Sequence, residues 1–422
     1  MGKYVNGVEK QVPEGWNFWG AFSTSKGTYN YYNATPWNIT FDRAGKNPVS
    51  PVVDVAMTGI HQADFVGAWG VEQMKIAHDA GLPFFVHTTA TMIHEGTCYG
   101  PYKDPSNFAR DDPYWEQDLT GFGCTTDNAQ SCSITISSCP SDKHKHDFDS
   151  LTNPHVPSWN ASESGQVPKV MQKNPYLTSY EEGRQDMGFR NRSASAVDLD
   201  DMIGVLLAGI DSLGVADNTY VIFTSDNGFH IGEHKMLFGK EHPYDTDVSL
   251  PLYIRGPNIP ANSTVVHPTN HLDITATVVE LASATAKGPV LDGLSFANVL
   301  VANPPSPAEW GRTFSFTEHF SNDNTWWEIR RPLEADRKKF HYWCKGDQEF
   351  FDLDADQWEM NNLMGTTAGA AAATLEMPLG VTLSGCSGQN CITPTGSVIP
   401  KIPLPCKTTV KAELEEGEFR WD

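Results

Sequence analysis

The sequence predicts an α/β protein with a mostly parallel, helix-flanked sheet and a smaller C-terminal α+β subdomain. Two segments carry this prediction, because in each an amphipathic helix leads into a short apolar run. In the first, helical periodicity over residues 71–80 ends at Gly81, and the apolar run 83–89 follows. In the second, apolar residues recur at helical spacing over 199–213 and lead into the run 220–223. This alternation is typical of helices packed on both faces of one sheet.

Two further elements extend the pattern toward the C-terminus. Residues 250–255 form an apolar run ended by Gly-Pro, which predicts another strand. Residues 273–284 have helical spacing, and we expect the first acid of the segment to cap the helix.

The domain boundaries follow changes in composition along the chain. Residues 1–286 are predicted to form the main domain, with a loop-rich, disulfide-pinned excursion at about 96–180, where Pro, Ser, Asn, Asp and Cys are dense. Residues 287–422 are aromatic-rich at first and then rich in Ala, Gly, Thr and Pro. They predict a C-terminal subdomain followed, from Gly365, by a loosely structured tail that contains cysteines.

Composition excludes several classes of protein. The 422 residues include 39% hydrophobic residues, 12 Trp and 21 Phe, enough for a large buried core. The net charge of −22 argues against binding to nucleic acid or to an anionic membrane surface, since both need clustered Lys and Arg. No apolar run approaches the roughly 20 residues that a membrane span requires. An anionic ligand would therefore need a local positive site.

Cysteines and glycosylation sequons point to the secretory pathway. The eight cysteines form an even set without a Cys-x-x-Cys pair, which favours disulfides over a zinc ribbon. Five asparagines begin N-x-Ser/Thr sequons: Asn33, Asn38, Asn160, Asn191 and Asn262. We expect a secreted protein or one of a lysosome-like compartment. The sequence as given opens without a signal peptide, so we expect it to begin within a longer chain.

The strongest chemical signal follows the predicted strand at 220–223. Asp226, Asn227 and Gly228 end that strand with a carboxylate and an amide oxygen, at the sheet edge where α/β proteins bind ligands. Oxygen donors of this kind suit a hard divalent cation such as Ca²⁺ or Mg²⁺. Lys240 follows closely and would bring positive charge to an anionic ligand.

A zinc interpretation of the next residues is an alternative. His230, Glu233 and His234 fit the H-x-x-E-H pattern of inverted zinc peptidases, in which a helix places both imidazoles on one metal. Gly228 and Gly232 disfavour a helix here, each by about 1 kcal/mol relative to Ala. The other interpretation is that the three side chains line the pocket or support the metal ligands.

Several motifs in the right order carry a family resemblance. They are Gly2-Lys3-Tyr4, Asp200-Asp201-Met202-Ile203-Gly204, Thr224-Ser225-Asp226-Asn227-Gly228, Gly239-Lys240, Pro251-Leu252-Tyr253-Ile254-Arg255-Gly256-Pro257 and Glu349-Phe350-Phe351-Asp352. On these motifs the chain resembles the type I sulfatases, in particular their branch of arylsulfatases and N-acetylglucosamine-6-sulfatases. The resemblance spans almost the whole chain.

The resemblance implies a fold, an activity and a set of roles. The fold is the alkaline phosphatase-like α/β/α sandwich, and the activity is hydrolysis of sulfate esters. Asp226 and Asn227 match two metal ligands of the family, which implies Ca²⁺ in preference to Mg²⁺, and Lys240 matches the family's sulfate-binding lysine. Lys3 matches a second lysine that contacts the sulfate and the nucleophile, and His94 matches the histidine that contacts the leaving-group oxygen.

The nucleophile of the family has no counterpart here. Type I sulfatases use a Cys-x-Pro-Ser-Arg block, whose cysteine becomes formylglycine, and an Asp-Asp pair that completes the metal site. The nearest sequence, Cys139-Pro140-Ser141-Asp142, lacks the arginine and lies after the lysine block. We expect an N-terminal segment with the first strand, the nucleophile and half the metal site to be missing. The chain as given is then expected to be inactive.

Two further functions remain open from the sequence. One is a non-catalytic, sulfatase-like secreted glycoprotein that binds anions, and the other is a phosphodiesterase or phosphonate hydrolase of the same superfamily. The substrate of a sulfatase would be a small-molecule or glycan sulfate ester. The sequence does not decide which ester, the oligomeric state or the disulfide connectivity.

Overall fold

The structure, a computed structural model, describes most of the chain. The described residues are 1–3, 15–22, 36–40, 53–54, 60–94, 96–97, 135–136, 138–286, 288–321, 324–333, 336–392 and 394. They fall into two compact units. The first comprises Met1–Pro154 and Thr178–Thr219, and the second comprises His155–Leu177 and Tyr220–Asp422.

Two long helices form the centre of the first unit. Helix α1 spans Gln62–Asp79 and helix α2 spans Ser179–Ser212, and the two pack against each other. Gly81, with φ at 65°, follows the end of α1 in the left-handed conformation that glycine adopts without strain. The apolar cluster of this unit consists of Phe22, Ala63, Val66, Met92, Cys139, Met187 and Met202.

Both predicted helices are confirmed, but each begins earlier than expected. Helix α2 starts at Ser179 because Thr178 and Glu181 form a capping box that satisfies the first free N–H groups. The first half of this helix is rich in charged and small residues, so its apolar stripe is weak in the sequence. The start of α2 at Ser179 falls at the predicted end of the excursion at 96–180, which stays a prediction.

The described strands of the first unit form two small antiparallel sheets. Strands β1 (Phe18–Phe22), β2 (Pro36–Thr40) and β3 (Val53–Asp54) form an antiparallel sheet, and β4 (Gly96–Thr97) pairs with β5 (Thr135–Ile136). Gly2 makes parallel bridges to both Ala21 and Thr89. The prediction of a strand at 83–89 is therefore wrong, because only an isolated bridge at Thr89 forms there.

The strand that leads to the candidate site is antiparallel, contrary to the prediction of a buried parallel strand. β6 (Val221–Thr224) is half-buried and pairs in antiparallel register with β7 (Leu252–Arg255). A parallel return needs a long crossover, usually a helix. The intervening chain holds only the four-residue helix α3 (Asp245–Val248).

Helix α4 (His271–Leu281) follows β7 and begins two residues earlier than predicted. Asp273 was expected to be its cap, but Asn270 is the N-cap and Asp273 is the acidic member of a capping box. Asp273 is fully buried and accepts a 2.7 Å hydrogen bond from the Arg312 guanidinium. The helix start is therefore tied to the following segment.

The C-terminal sheet is a four-stranded antiparallel meander. Its strands are β8 (Ser315–His319), β9 (Trp326–Leu333), β10 (Asp336–Trp343) and β11 (Gln348–Asp352). Strands that follow each other in the chain are neighbours in the sheet. The short helix α5 (Pro307–Trp310) precedes it. One face carries an apolar cluster that includes Trp327, Ile329 and Phe340.

The prediction of a loosely structured tail from Gly365 is wrong for its first part. Helix α6 spans Thr367–Leu383 and packs on β9 and β10, and the short helix α7 (Gln389–Ile392) follows. Thr366 caps α6 through its side chain, and the alanine-rich start has high helix propensity. The Ala/Gly/Thr composition that indicated a loop therefore belongs to a packed helix.

The expectation of disulfides is confirmed for every described cysteine. Cys386 and Cys391 are joined to each other, and Cys139 and Cys344 are also disulfide-bonded. Cys98, Cys124, Cys132 and Cys406 lie outside the described residues. Among the helices that the structure describes, none combines the length and the apolar character needed to cross a membrane.

The sequon asparagines differ in their surroundings. Asn262 is exposed in a turn, whereas the side chain of Asn160 accepts a 2.7 Å hydrogen bond from the Leu177 backbone N–H. Asn191 lies within α2 and Asn38 within β2, and Asn33 is outside the described residues. Glycosylation at these sites stays a prediction.

A buried acid in the C-terminal sheet predicts a pH dependence. Burial raises the pKa of Glu328 to about 7, against the opposing charge of Lys339. The folded pKa exceeds the unfolded value of about 4.3, so the buried side chain favours its neutral, protonated form. The contribution of Glu328 to the unfolding free energy is therefore greatest below pH 4 and is lost as pH rises through 7. We expect Glu328→Gln to remove about 3 kcal/mol of this dependence. The measurement is the difference in urea unfolding free energy between the two proteins from pH 4 to 8.

Glu309 provides a control of opposite sign. Hydrogen bonds from Ser306 lower the pKa of this fully exposed glutamate, so its contribution is present at neutral pH and lost on acidification. Glu309→Gln should therefore lose stability at pH 7 and not at pH 3. A pH-independent difference for Glu328→Gln would contradict the assignment.

Candidate active site

The turn after β6 brings the two predicted cation ligands next to the predicted lysine. The Asn227 backbone N–H donates to Asp226 Oδ1 at 2.9 Å, and the Asn227 amide donates to Gly228 O at 2.8 Å. The Lys240 ammonium donates to Asn227 Oδ1 at 3.1 Å. The amide oxygen is thus oriented toward a positive charge, while the Asp226 side chain is exposed.

Backbone hydrogen bonds hold this turn against the lysine segment. His230 and Gly239 form an antiparallel bridge, with N–H to O distances of 2.9 and 3.3 Å. Gly228 N donates to Asp247 O at 2.8 Å, in the first turn of α3. Lys240 therefore comes next to Asn227 because the bridge fixes the residue just before it.

The Asp247 carboxylate strengthens the same arrangement. Its two oxygens lie 2.9 and 3.0 Å from His230 Nδ1, and Oδ2 accepts the His242 backbone N–H at 2.9 Å. Burial, reinforced by His230, lowers the pKa of the His242 imidazole to about 4. Asp247 and His242 were not predicted, because neither stands in a motif and only the return of the chain from β6 to β7 brings them together.

The H-x-x-E-H zinc interpretation is wrong. Residues 230–234 are not helical, and His234 has φ at 52°. His230 bonds to Asp247, whereas His234 Nδ1 lies 2.8 Å from Glu163 Oε1 and its ring stacks on Tyr244. The glutamate of the motif accepts a hydrogen bond from the nearby Ile231 N–H. The two histidines thus pair with separate carboxylates.

A buried carboxylate network lies behind His234. The Tyr244 hydroxyl is 3.1 Å from Glu163 Oε1 and 3.1 Å from Glu349 Oε1. Burial and the charge of Glu163 raise the pKa of Glu349 well above its usual range. The tyrosine has one proton to donate, so a neutral Glu349 allows both contacts to be hydrogen bonds.

The other two predicted residues lie in the first unit. Lys3 is held by its backbone, with its N–H donating to Thr89 O at 2.7 Å and its carbonyl accepting from the Thr89 hydroxyl at 2.6 Å. His94 is half-buried five residues further along, and its N–H donates to Thr91 O at 2.9 Å. The parallel bridge at Gly2 therefore places Lys3 beside the segment that leads to His94.

Comparison with known proteins assigns the family. The sequence profile described as Sulfatase matches residues 84–284. The chain is 28% identical over 352 residues to sulfatase ppz1 of Metarhizium majus, covering 81% of this chain and 70% of the relative. It is also 28% identical over 419 residues to the arylsulfatase of Volvox carteri, covering 91% and 58%. Residues 84–284 belong to the sulfatase family.

The N-acetylglucosamine-6-sulfatase of Bos taurus is also similar, at 28% identity over 50% of this chain and 42% of the relative. The chain thus spans less than two thirds of the Volvox and Bos enzymes that it matches. The predicted family is confirmed.

Solved structures show the fold. A protein in complex with its substrate D-glucosamine-2-N,6-O-disulfate superposes with a TM-score of 0.61 at 21% identity, covering 87% of this chain and 76% of that one. The Bacteroides fragilis protein yidJ, assigned as a sulfatase, gives 0.54 at 15% identity, covering 86% and 64%. The predicted α/β class and the alkaline phosphatase-like fold of the sulfatase family are confirmed.

Proposed function

We propose that this chain contributes the sulfate-binding part of a metal-dependent sulfatase that hydrolyses sulfate esters. The observation that carries the proposal is the 3.1 Å hydrogen bond from the Lys240 ammonium to Asn227 Oδ1. It brings a cationic donor for the anion next to an oxygen donor for a metal. A sulfate oxygen shared between an ammonium and a divalent cation needs both at one place.

Asp226 and Asn227 would hold the cation. Their donors are hard oxygens, and among the described residues no hydrogen bond reaches Asp226 Oδ2, so this oxygen is available to a ligand. Asn227 Oδ1 already accepts from a positive group, as an oxygen ligand of Ca²⁺ would. When bound, the ion would polarise the sulfate group and offset its developing charge.

The remaining roles rest on the family resemblance. His94 would donate a proton to the departing alcohol or phenol oxygen. Lys3 would place a positive charge next to the sulfate group. The formylglycine nucleophile would come from a Cys-x-Pro-Ser-Arg block, which the 422 residues do not contain. Hydrolysis is therefore proposed for a protein that includes such a block, and this chain alone is expected to bind sulfate without turnover.

The relatives support a substrate class and a compartment. The relatives include arylsulfatases and N-acetylglucosamine-6-sulfatases, and a Caenorhabditis elegans relative is named a homolog of extracellular sulfatase Sulf-1. A sulfate ester on an aryl group or a glycan, met in the secretory pathway or outside the cell, fits these names. The disulfides of the described cysteines agree with an oxidising compartment.

Calorimetric titration of the chain with 4-nitrophenyl sulfate in the presence of Ca²⁺ tests the proposal. We expect saturable binding that weakens about tenfold or more in Lys240→Ala, because the hydrogen bonds of a charged donor are worth about 1.5–3 kcal/mol. Removing Ca²⁺ or introducing Asp226→Asn should weaken binding in parallel. Lys235→Ala, a change to a nearby lysine that lies over the Tyr176 ring, serves as the matched control.

Three outcomes would redirect the assignment. Tighter binding of phenyl phosphate than of the sulfate would favour the phosphodiesterase or phosphonate hydrolase alternative. Equal binding by wild type and Lys240→Ala would remove the lysine from the site. Sulfate binding without turnover, even in a longer protein that carries the formylglycine block, would favour the non-catalytic alternative.

A further inference from the structure

Asp247, His230 and His242 form a group of metal-ligand side chains beside the Lys240 segment. One ligand atom from each residue can be chosen so that all three atoms lie within 4.8 Å of one another. Asp247 Oδ1 is 2.9 Å from His230 Nδ1, and Oδ2 is 4.0 Å from His242 Nδ1. Ligands about 2 Å from a tetrahedral ion are roughly 3.3 Å apart, so shifts of about an ångström would close the group on an ion.

An unsatisfied nitrogen supports this interpretation. His242 Nδ1 is inaccessible to solvent and has no hydrogen-bond partner among the described residues. A buried polar atom without a partner costs free energy and calls for an explanation, such as an ion. The His242 ring is held edge-on to the His230 ring, with centroids 5.2 Å apart, so its orientation is already set.

We propose that His230, His242 and Asp247 bind a transition-metal ion of the Zn²⁺ class. Two imidazole nitrogens and one carboxylate oxygen are typical zinc ligands, whereas Ca²⁺ takes oxygen donors only. Coordination through His230 Nδ1 replaces the hydrogen bond to Asp247, and the Nδ1 proton moves to the other ring nitrogen or to solvent. A water molecule would complete the tetrahedron.

This site is distinct from the proposed calcium position at Asp226 and Asn227. His230 precedes and His242 follows Lys240, and the ion would therefore join the two segments that hold the lysine against Asn227. A bound ion would brace this arrangement. The proposed metal site does not depend on sulfate hydrolysis or on the roles proposed for His94 and Lys3.

Metal titration of the full chain, prepared without a polyhistidine tag, tests the proposal. Saturating Ca²⁺ is kept present so that oxygen sites are filled. We expect one equivalent of Co²⁺ to give the intense visible absorption of a tetrahedral centre, and one equivalent of Zn²⁺ to displace it. His242→Ala should weaken Zn²⁺ binding by about a hundredfold or more, because even indirect supports of metal ligands contribute 10- to 100-fold.

Matched variants make the result specific. The His242 ring makes no hydrogen bond through Nδ1, so the alanine variant should fold, and its thermal unfolding without metal is the check. His271→Ala changes an exposed histidine of the same unit and should leave Zn²⁺ affinity unchanged. Lys240→Ala should also retain Zn²⁺ binding, although it loses sulfate binding if the proposed function is right.

Three results would overturn the proposal. They are the absence of saturable Zn²⁺ binding, binding that His242→Ala leaves intact, and binding lost in Asp226→Asn but kept in His242→Ala. The last result would place the ion at the oxygen ligands. In the first two cases the three side chains are a hydrogen-bonded group only, and the sulfate titration still decides the proposed function separately.

Discussion

Lys339→Met is expected to lower the unfolding free energy by about 3–5 kcal/mol, the cost of breaking a buried ion pair. The Lys339 side chain is fully buried on β10, and its ammonium lies 2.7 Å from Asp245 Oδ1 and 2.8 Å from Glu359 Oε1. Burial alone would lower the pKa of this lysine, but the charges of Asp245 and Glu359 raise it. Chemical denaturation at pH 7 measures the loss.

The loss of stability in Lys339→Met depends on which carboxylate is left buried without its ion-pair partner. Asp245 keeps an ion pair with Arg330 in the variant, whereas Glu359, 2% exposed, is left with His341 at 3.5 Å as its nearest basic group. The double variant Lys339→Met/Glu359→Gln should therefore recover part of the stability. The adjacent Lys338→Met removes a partly exposed pair with Asp352 and should cost at most about 1 kcal/mol.

The same variant links the C-terminal sheet to the candidate site. Asp245 begins α3, and two residues later Asp247 holds His230 and the backbone of His242. Losing Lys339 should therefore weaken sulfate binding even though this lysine does not contact the turn at Asn227. Unchanged sulfate affinity and stability in Lys339→Met would show that α3 does not depend on the sheet.

Local signals in the sequence predicted the helices of the fold well. Helical periodicity identified parts of α1, α2 and α4, because in each of them apolar residues recur at helical spacing along one face. Strand pairing could not be predicted in this way. The run that became β6 has the same apolar character whether its partner is parallel or antiparallel, and only the chain return to β7 decides.

The candidate site shows the same division. Asp226, Asn227 and Lys240 could be proposed as site residues because they lie in short motifs, and the structure brings Asn227 and Lys240 into contact. His242 and Asp247 carry no motif, and their roles arise from a bridge and a four-residue helix that fold them toward His230. Residues that act through long-range contacts leave no periodic signal in a single sequence.

Gly228→Ala is expected to disrupt the site more than any change to a side chain at its surface. A Cβ at position 228 would lie 2.0 Å from the Thr246 carbonyl oxygen and 2.9 Å from Asp247 Cα. These are backbone atoms of α3, so rotating a side chain cannot relieve the contact. We expect a loss of about 2–3 kcal/mol in unfolding free energy, at the upper end for overpacking.

Binding should fall together with stability in this variant. Gly228 N donates to Asp247 O, so moving the turn away from α3 also moves Asn227 away from Lys240. Sulfate affinity should drop at least as far as in Lys240→Ala, measured by calorimetry below the unfolding temperature. Zinc binding should weaken as well, since His230 follows the same turn.

Gly204→Ala provides the matched control. Gly204 lies inside α2, and a Cβ there would meet no atom within 4 Å. Alanine at an open helical position stabilises by about 0.5–1 kcal/mol relative to glycine, so this variant should unfold at higher denaturant with unchanged ligand binding. Equal behaviour of the two variants would mean that the close approach of the turn to α3 does not hold the site together, and that Lys240 is positioned by its bridge alone.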